Sequence, residues 1–294
     1  MNRRVIDVHV HIQPFETMAS DCAGQMLPPE KEEQFYTLSR DPEAFLRFMD
    51  DEGIEKACLI VCVAEAVMGY TEDVNDWSHG FARGHRDRLL PFGSVDPTTT
   101  PDARVEMLRI LDDFGMVGLK LHPPHQLFRA NQYRDGLDSL ATIYEMAEDA
   151  GLPVTIHTGS SIFPRARNVY ADPIFCDDVA VDFPLLKVIL AHGGRPLWMP
   201  TAAFLARRHP NVFIDLSGIP PRKLLESFPR FTDLAPKLLW GSDWAGPGVP
   251  GMGANLRQFL ELPLDEATRQ QILYDNAAGI FGLQESRRNS PGPS

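Results

Sequence analysis

The chain has 294 residues, 44% hydrophobic and 23% charged, enough for one large domain with a sizeable buried core. Its net charge of −12 leaves no basic footprint for a nucleic acid and gives no long-range steering toward an anionic substrate. No apolar run approaches the roughly 20 residues that span a bilayer, so no membrane partner is expected.

The opening segment, MNRRVIDVHVHI, alternates apolar and polar residues. It predicts a strand over Val5–Val10 and not a secretory signal. A long connection follows, Gln13–Arg40. Asp41 as N-cap and Pro42 as the first helical residue then open the helix DPEAFLRFMDDE, which Gly53 ends. The second strand is expected over Ala57–Val63. It holds Cys58 and Cys62, which with Cys22 and Cys176 show no CxxC spacing. They read as reduced thiols of a cytoplasmic protein.

Further strands are predicted at Leu89–Val95, Val117–Leu121, Val154–His157, Val188–Ala191, Val212–Leu216 and Leu238–Gly241. Amphipathic segments such as TPDARVEMLRILDDFG, DSLATIYEMAEDAG and MPTAAFLARRHP lie between them, and LDEATRQQILYDNAAGIFG follows the last. A second long connection, His122–Arg134, follows the fourth strand. Eight strands alternating with helices predict a (β/α)8 barrel in one domain over residues 1–283. A doubly wound open sheet is the runner-up, but it would more readily carry a Gly-rich phosphate loop where this chain has HVHIQPFE. The tail from residue 284, QESRRNSPGPS, is polar and expected to be disordered.

Six polar residues recur at or near the ends of these apolar runs: His9, His11, Lys120, His157, His192 and Asp243. A buried strand that ends in a polar group is costly unless the group finds a partner. Five of the six are ordinary ligands for a divalent ion. The C-terminal strand ends of a barrel line its catalytic face, so the six are expected to converge on one metal site. His9 and His11 are two apart on a strand and share a face with Asp7. Asp243, in WGSDW, suits a metal-bound carboxylate that takes a proton from bound water, or else a loop cap. Lys120 shares a face with His122. Arg165, Arg167 and Arg195 follow the fifth and sixth strands and suit capture of a substrate carboxylate. Trp244 is a candidate pocket wall, and His122, His125 and Tyr170 are further loop candidates.

The motifs DVHVHI, GLKLHP, TIHTG, ILAHGGRP and LLWGSDW, in that order, resemble the amidohydrolase superfamily. The nearest branch is amidohydrolase-2, which contains metal-dependent hydrolases, lactonases and non-oxidative decarboxylases. The resemblance covers about residues 4–283. It implies a distorted TIM barrel, metal ligands at His9, His11, His157 and Asp243, and a catalytic histidine at His192. Related binuclear enzymes carry a carboxylated lysine where this chain has Lys120. Mononuclear members carry a plain lysine there, which would leave Lys120 to bind substrate.

The function expected is metal-dependent hydrolysis of a small carboxylate-bearing lactone or amide through a metal-activated water. One Zn2+ per chain is expected, and a homo-oligomer is left open. The main alternative is a non-oxidative decarboxylase using the same cage. WGSDW tips the balance to hydrolysis, since DYP is the common ending among the decarboxylases. A metal-binding barrel that has lost catalysis is a minor alternative.

Overall fold

The apolar runs form eight parallel strands: β1 (Ile6–Val10), β2 (Lys56–Leu59), β3 (Leu89–Ser94), β4 (Gly118–Leu121), β5 (Val154–His157), β6 (Val188–Ala191), β7 (Val212–Asp215) and β8 (Leu238–Leu239). Each pairs with the next in chain order. β8 returns to β1: Val8 N donates to Trp240 O at 3.2 Å, and Asp243 N donates to His9 O at 3.0 Å. The ring is a (β/α)8 TIM barrel with helices around it. This computed structural model describes residues 3–283, so the tail expected to be disordered lies outside the described residues.

Two strands are shorter than their apolar runs suggest. β2 stops at Leu59, and the chain then leads into a short helix, Glu65–Met68. β8 stops at Leu239, because Trp240 N donates instead to Ile272 O in the last helical segment, at 3.1 Å. Hydrophobicity continues past both ends because the connecting residues are themselves buried. Among the described residues, no helix is long and apolar enough to cross a membrane.

A plug of side chains closes the barrel beneath its catalytic face. Gly118 stands two residues before Lys120 on β4 and shares its face. The Phe92 ring fills the space over Gly118 so closely that a Cβ there would overlap it. Phe92 in turn meets Phe281 edge to face, with ring centroids 5.7 Å apart. The larger apolar cluster contains Phe45, Met49, Tyr144, Phe228 and Phe259 from the segments outside the strands.

The long connections do lie on the catalytic face. The β1 connection contains the helices Ser20–Met26 and Glu32–Arg40 and sends Gln13 and Met26 into a cavity there. The β4 connection sends His122 and His125 into the same cavity. The helix Pro42–Glu52 begins as its sequence dictates: Asp41 Oδ1 accepts from Glu43 N at 2.9 Å and Ala44 N at 3.1 Å, with Pro42 at the first helical position. Asp41→Ala should therefore lower unfolding free energy by about 0.5–2 kcal/mol in urea titrations and leave metal content unchanged. A loss well outside that range would mean that Asp41 does more than cap.

Candidate metal centre

The ends of five strands bring their polar residues into one buried group. His9, His192 and Asp243 have potential ligand atoms within 4.8 Å of one another. They are the one such trio of His, Cys, Asp or Glu among the described residues. His11 joins them, with Nε2 3.2 Å from Asp243 Oδ1. His9 Nε2 lies 3.8 Å from the same oxygen.

The opposite ring nitrogens set the tautomers. His9 Nδ1 lies 2.5 Å from Asp215 Oδ2, and His11 Nδ1 lies 3.2 Å from the Ile60 carbonyl. With a proton on each Nδ1, each Nε2 carries a lone pair. Two lone pairs then face one carboxylate oxygen, and His9 Nε2 is buried without a hydrogen-bond partner. Three electron-rich atoms around one point repel unless a cation lies among them. These residues therefore fit a divalent ion, and Asp215 supplies the outer carboxylate that commonly fixes a metal-binding histidine.

His192 is oriented the same way, with Nδ1 3.1 Å from Ser217 O and 3.0 Å from Ser217 Oγ. The family resemblance implies a catalytic role for it outside the ligand set, whereas the structure puts its ring among the closest potential ligands. His157 stands one step away. Its Nε2 lies 3.1 Å from Gly159 O, and its ring centroid is 4.7 Å from that of His192. Burial holds His9, His157 and His192 well below the ordinary histidine pKa, with nearby cations adding to the effect. Neutral imidazole is the form that binds a metal.

Asp243 is the opposite case. Burial alone would raise its pKa; a proton on the His11 or His9 face, whose place a bound cation would take, and the Arg195 guanidinium outweigh that and hold it well below the carboxylate range. Arg195 helps to hold it. Nη2 reaches Asp243 Oδ2 at 3.1 Å, Nε donates to Gly218 O at 2.8 Å, and Nη1 to Ser160 O at 3.3 Å. A Cβ on Gly218, whose φ is +66°, would lie 2.5 Å from both Arg195 Nε and Asp243 Oδ2, so only glycine admits this pairing. His192 and Asp243 themselves adopt φ of 63° and 67°. Such left-handed backbone in a non-glycine residue costs on the order of 1–3 kcal/mol and concentrates at functional sites.

The cavity above this group has a volume of about 240 Å³. Lys120, buried at 1% exposure, lines it and makes no hydrogen bond through Nζ. Burial lowers the Lys120 pKa to about 8. His122 stacks between His157 and His125, with ring centroids 3.8 and 3.5 Å away.

Several expected site residues lie off the cavity. Trp244 packs outward against Phe35, Phe45 and Phe48, with centroids 5.2, 6.0 and 4.9 Å away, while Asp243, with its left-handed backbone, lines the cavity. Arg165 is exposed and bonds to Asp21 Oδ1 at 2.9 Å and Val67 O at 2.8 Å. Arg167 is also exposed, since the β5 connection dips into the cavity only at Ser160–Phe163. Tyr170 does not line the cavity either.

Sequence reasoning missed Asp215 and Ser217. Their signal was present: VFID ends in a polar residue just as VTIH does. Burial pushes the Asp215 pKa up to about 7 against the hydrogen bonds from Ser217.

The amidohydrolase-2 family model, described as amidohydrolase, matches residues 6–283. The chain belongs to that family. No curated protein matches its sequence. Among solved structures, an uncharacterised TIM-barrel protein from Bordetella bronchiseptica is similar at 22% identity, covering 95% of this chain and 98% of that one, with a TM-score of 0.73. A dihydroxybenzoic acid decarboxylase from Polaromonas, with bound manganese, is similar at 18% identity, covering 97% and 98%, with a TM-score of 0.72. A probable 2-pyrone-4,6-dicarboxylic acid hydrolase from Acinetobacter baumannii is similar at 18% identity, covering 96% and 100%, with a TM-score of 0.66. At these identities the likeness is one of fold.

Replacing Asp215 by Asn leaves a neutral group beside His9 Nδ1. Such outer-sphere changes typically cost about 10–100-fold in metal affinity. Competition with a chelator should show a loss of that size in Asp215→Asn with the fold intact by circular dichroism. Unchanged affinity would show that His9 needs no help from β7.

Proposed function

We propose that the protein is a metal-dependent hydrolase of a small lactone or amide. The observation that carries this is the placement of Asp243. Among the described residues that line the cavity it is the one carboxylate, and its Oδ1 lies 3.2 Å from His11 Nε2 and 3.8 Å from His9 Nε2. An ionised carboxylate at the reacting centre accepts a proton, which is what attack by water requires.

His9, His11 and Asp243 would hold the ion, with His192 or His157 completing the set. Nitrogen and oxygen donors of this kind suit zinc, although the Polaromonas decarboxylase holds manganese. When bound, the ion supplies Lewis acidity to polarise a carbonyl and activate water.

The chain's own residues supply the rest. Arg195 fixes Asp243 Oδ2, which turns Oδ1 toward His9 and His11. Asp243 receives the proton that the attacking water gives up. His192, neutral and anchored through Nδ1, keeps its Nε2 lone pair to orient water or to share in holding the ion. Arg195 serves the carboxylate of the protein before any carboxylate of a substrate.

Decarboxylation of an aromatic acid is the second reading. It is favoured by the hydroxybenzoate and carboxyvanillate decarboxylases among the similar structures. The apolar wall formed by Met26, Ile60, Met68 and Phe163 also suits a flat ring.

Turnover in ¹⁸O-labelled water separates the two. A panel of lactones, acyl amides and hydroxybenzoates should yield label in a new carboxylate. Release of CO2, with solvent deuterium on the product carbon, would replace the hydrolytic reading. With a substrate in hand, His192→Asn and Asp243→Asn should each lower kcat by about 10²–10⁴. Asp243→Asn should also weaken metal binding, and normal kcat in it would remove Asp243 as the proton acceptor.

A further inference from the structure

Strict alternation along β1 would put Asp7, His9 and His11 on one face and Ile6, Val8 and Val10 on the other. The structure breaks that alternation. Ile6 and Val8 belong to the apolar plug with Phe92, whereas Val10 joins the larger cluster outside it, and His9 and His11 face Asp243. The change comes from one extra residue. Three steps along β1, from Asp7 to Val10, pair with two along β2, from Ala57 to Leu59. Val8 N and His11 N also reach the same neighbour, the segment at the end of β8, through Trp240 O and Trp244 O. Residues three apart in a regular strand would face opposite neighbours. This is a β-bulge, and it carries both histidines onto the inner face.

A bulge leaves a backbone N–H without a strand partner, and a buried one must find another acceptor. Here that group is His9 N, and its acceptor is Asp7 Oδ1 at 3.1 Å. The same oxygen accepts from Ser242 N at 2.9 Å. Ser242 immediately precedes Asp243, whose own N donates to His9 O at 3.0 Å. One buried oxygen therefore ties the backbone of a histidine in the ion group to the residue before the carboxylate of that group. Asp215 fixes the ring of His9, and Asp7 fixes its backbone. Asp7 is fully buried, and its other oxygen, Oδ2, has no hydrogen-bond partner among the described residues. The bonds that hold this seam run through Oδ1.

We infer that Asp7 is a positioning residue for the ion group. By bridging His9 N and Ser242 N it holds the bulge that turns His9 and His11 into the barrel and sets their distance from Asp243. The inference rests on the reading that these residues hold a divalent ion, and not on which bond the enzyme breaks. What the site needs from Asp7 is an acceptor oxygen in one place and not a negative charge. Asparagine can put its carbonyl oxygen in that place. Glutamate keeps the charge but carries its oxygens one methylene farther out. Alanine has no acceptor and would leave two N–H groups buried and unpaired.

The test follows Co2+ binding to the full chain. Affinity is read by competition with a chelator, and the visible absorption of the bound ion reports the geometry of its ligands. Asp7→Asn should match wild type in both. Asp7→Glu and Asp7→Ala should each lose about 10–100-fold in affinity, the range usual for groups that orient a metal ligand, with an altered spectrum. Metal-free Asp7→Ala should still unfold in one cooperative transition, so that the loss belongs to the site.

An Asp7→Asn variant that lost as much affinity as Asp7→Ala would overturn the inference, because charge and not placement would then be acting on the ion. Wild-type affinity and spectrum in Asp7→Ala or Asp7→Glu would overturn it as well. So would a metal-free Asp7→Ala that fails to fold, which would make Asp7 a residue of the barrel as a whole. Wild-type protein that takes up no Co2+ would overturn the ion reading and this inference together, whereas the other outcomes overturn this inference alone.

Discussion

The site depends on one carboxylate whose two oxygens face different partners. Asp243 Oδ2 is held by Arg195, and Oδ1 faces the imidazoles of His9 and His11. Each partner constrains the next. Arg195 reaches Asp243 only because Gly218 has no side chain. His9 offers a lone pair at Nε2 only because Asp215 accepts a hydrogen bond from Nδ1 and keeps the proton there. A buried carboxylate would ordinarily be driven toward its neutral form. Here the Arg195 guanidinium on Oδ2 favours the ionised form, while ring nitrogens of His9 and His11 face Oδ1. A cation would complete this arrangement, and the left-handed backbone at His192 and Asp243 persists because the surroundings fix both residues.

Much of this was legible in the sequence, for a physical reason. Strands of a parallel barrel are buried on both faces, so they read as apolar runs, and a polar residue at the end of a run stands out. All eight strands were placed this way, as were His9, His11, His192 and Asp243 in one group. The same reasoning applied to VFIDLSG would have found Asp215. Side-chain direction beyond a strand end was harder to read. Trp244 follows Asp243 directly, yet faces the helices Glu32–Arg40 and Pro42–Glu52 through Phe35, Phe45 and Phe48. All three arginines were candidates by position, with Arg195 somewhat favoured. Only the path of the β5 connection separates Arg165 and Arg167, which lie outside the cavity, from Arg195 within it.

The connections also explain how one cage can serve different reactions. The donor group comes from strand ends that the barrel holds rigidly. Much of the rest of the cavity wall comes from the β1, β2, β4 and β5 connections through Gln13, Met26, Met68, Tyr70, His125 and Phe163. Family membership therefore speaks to the donor group, while the substrate is read by residues that vary with loop length and path. Lys120 and His122 lie between these two layers, on the strand end yet facing the variable part of the cavity.

The central claim is that the strand ends hold one divalent ion. Elemental analysis of the purified protein, beside a His9→Ala/His11→Ala double variant, tests it most directly. The account predicts close to one ion per chain in the wild type and almost none in the variant, with the barrel still folded by circular dichroism. A double variant that retained the full complement of metal would contradict it, as would wild-type protein that takes up no ion when zinc or manganese is supplied.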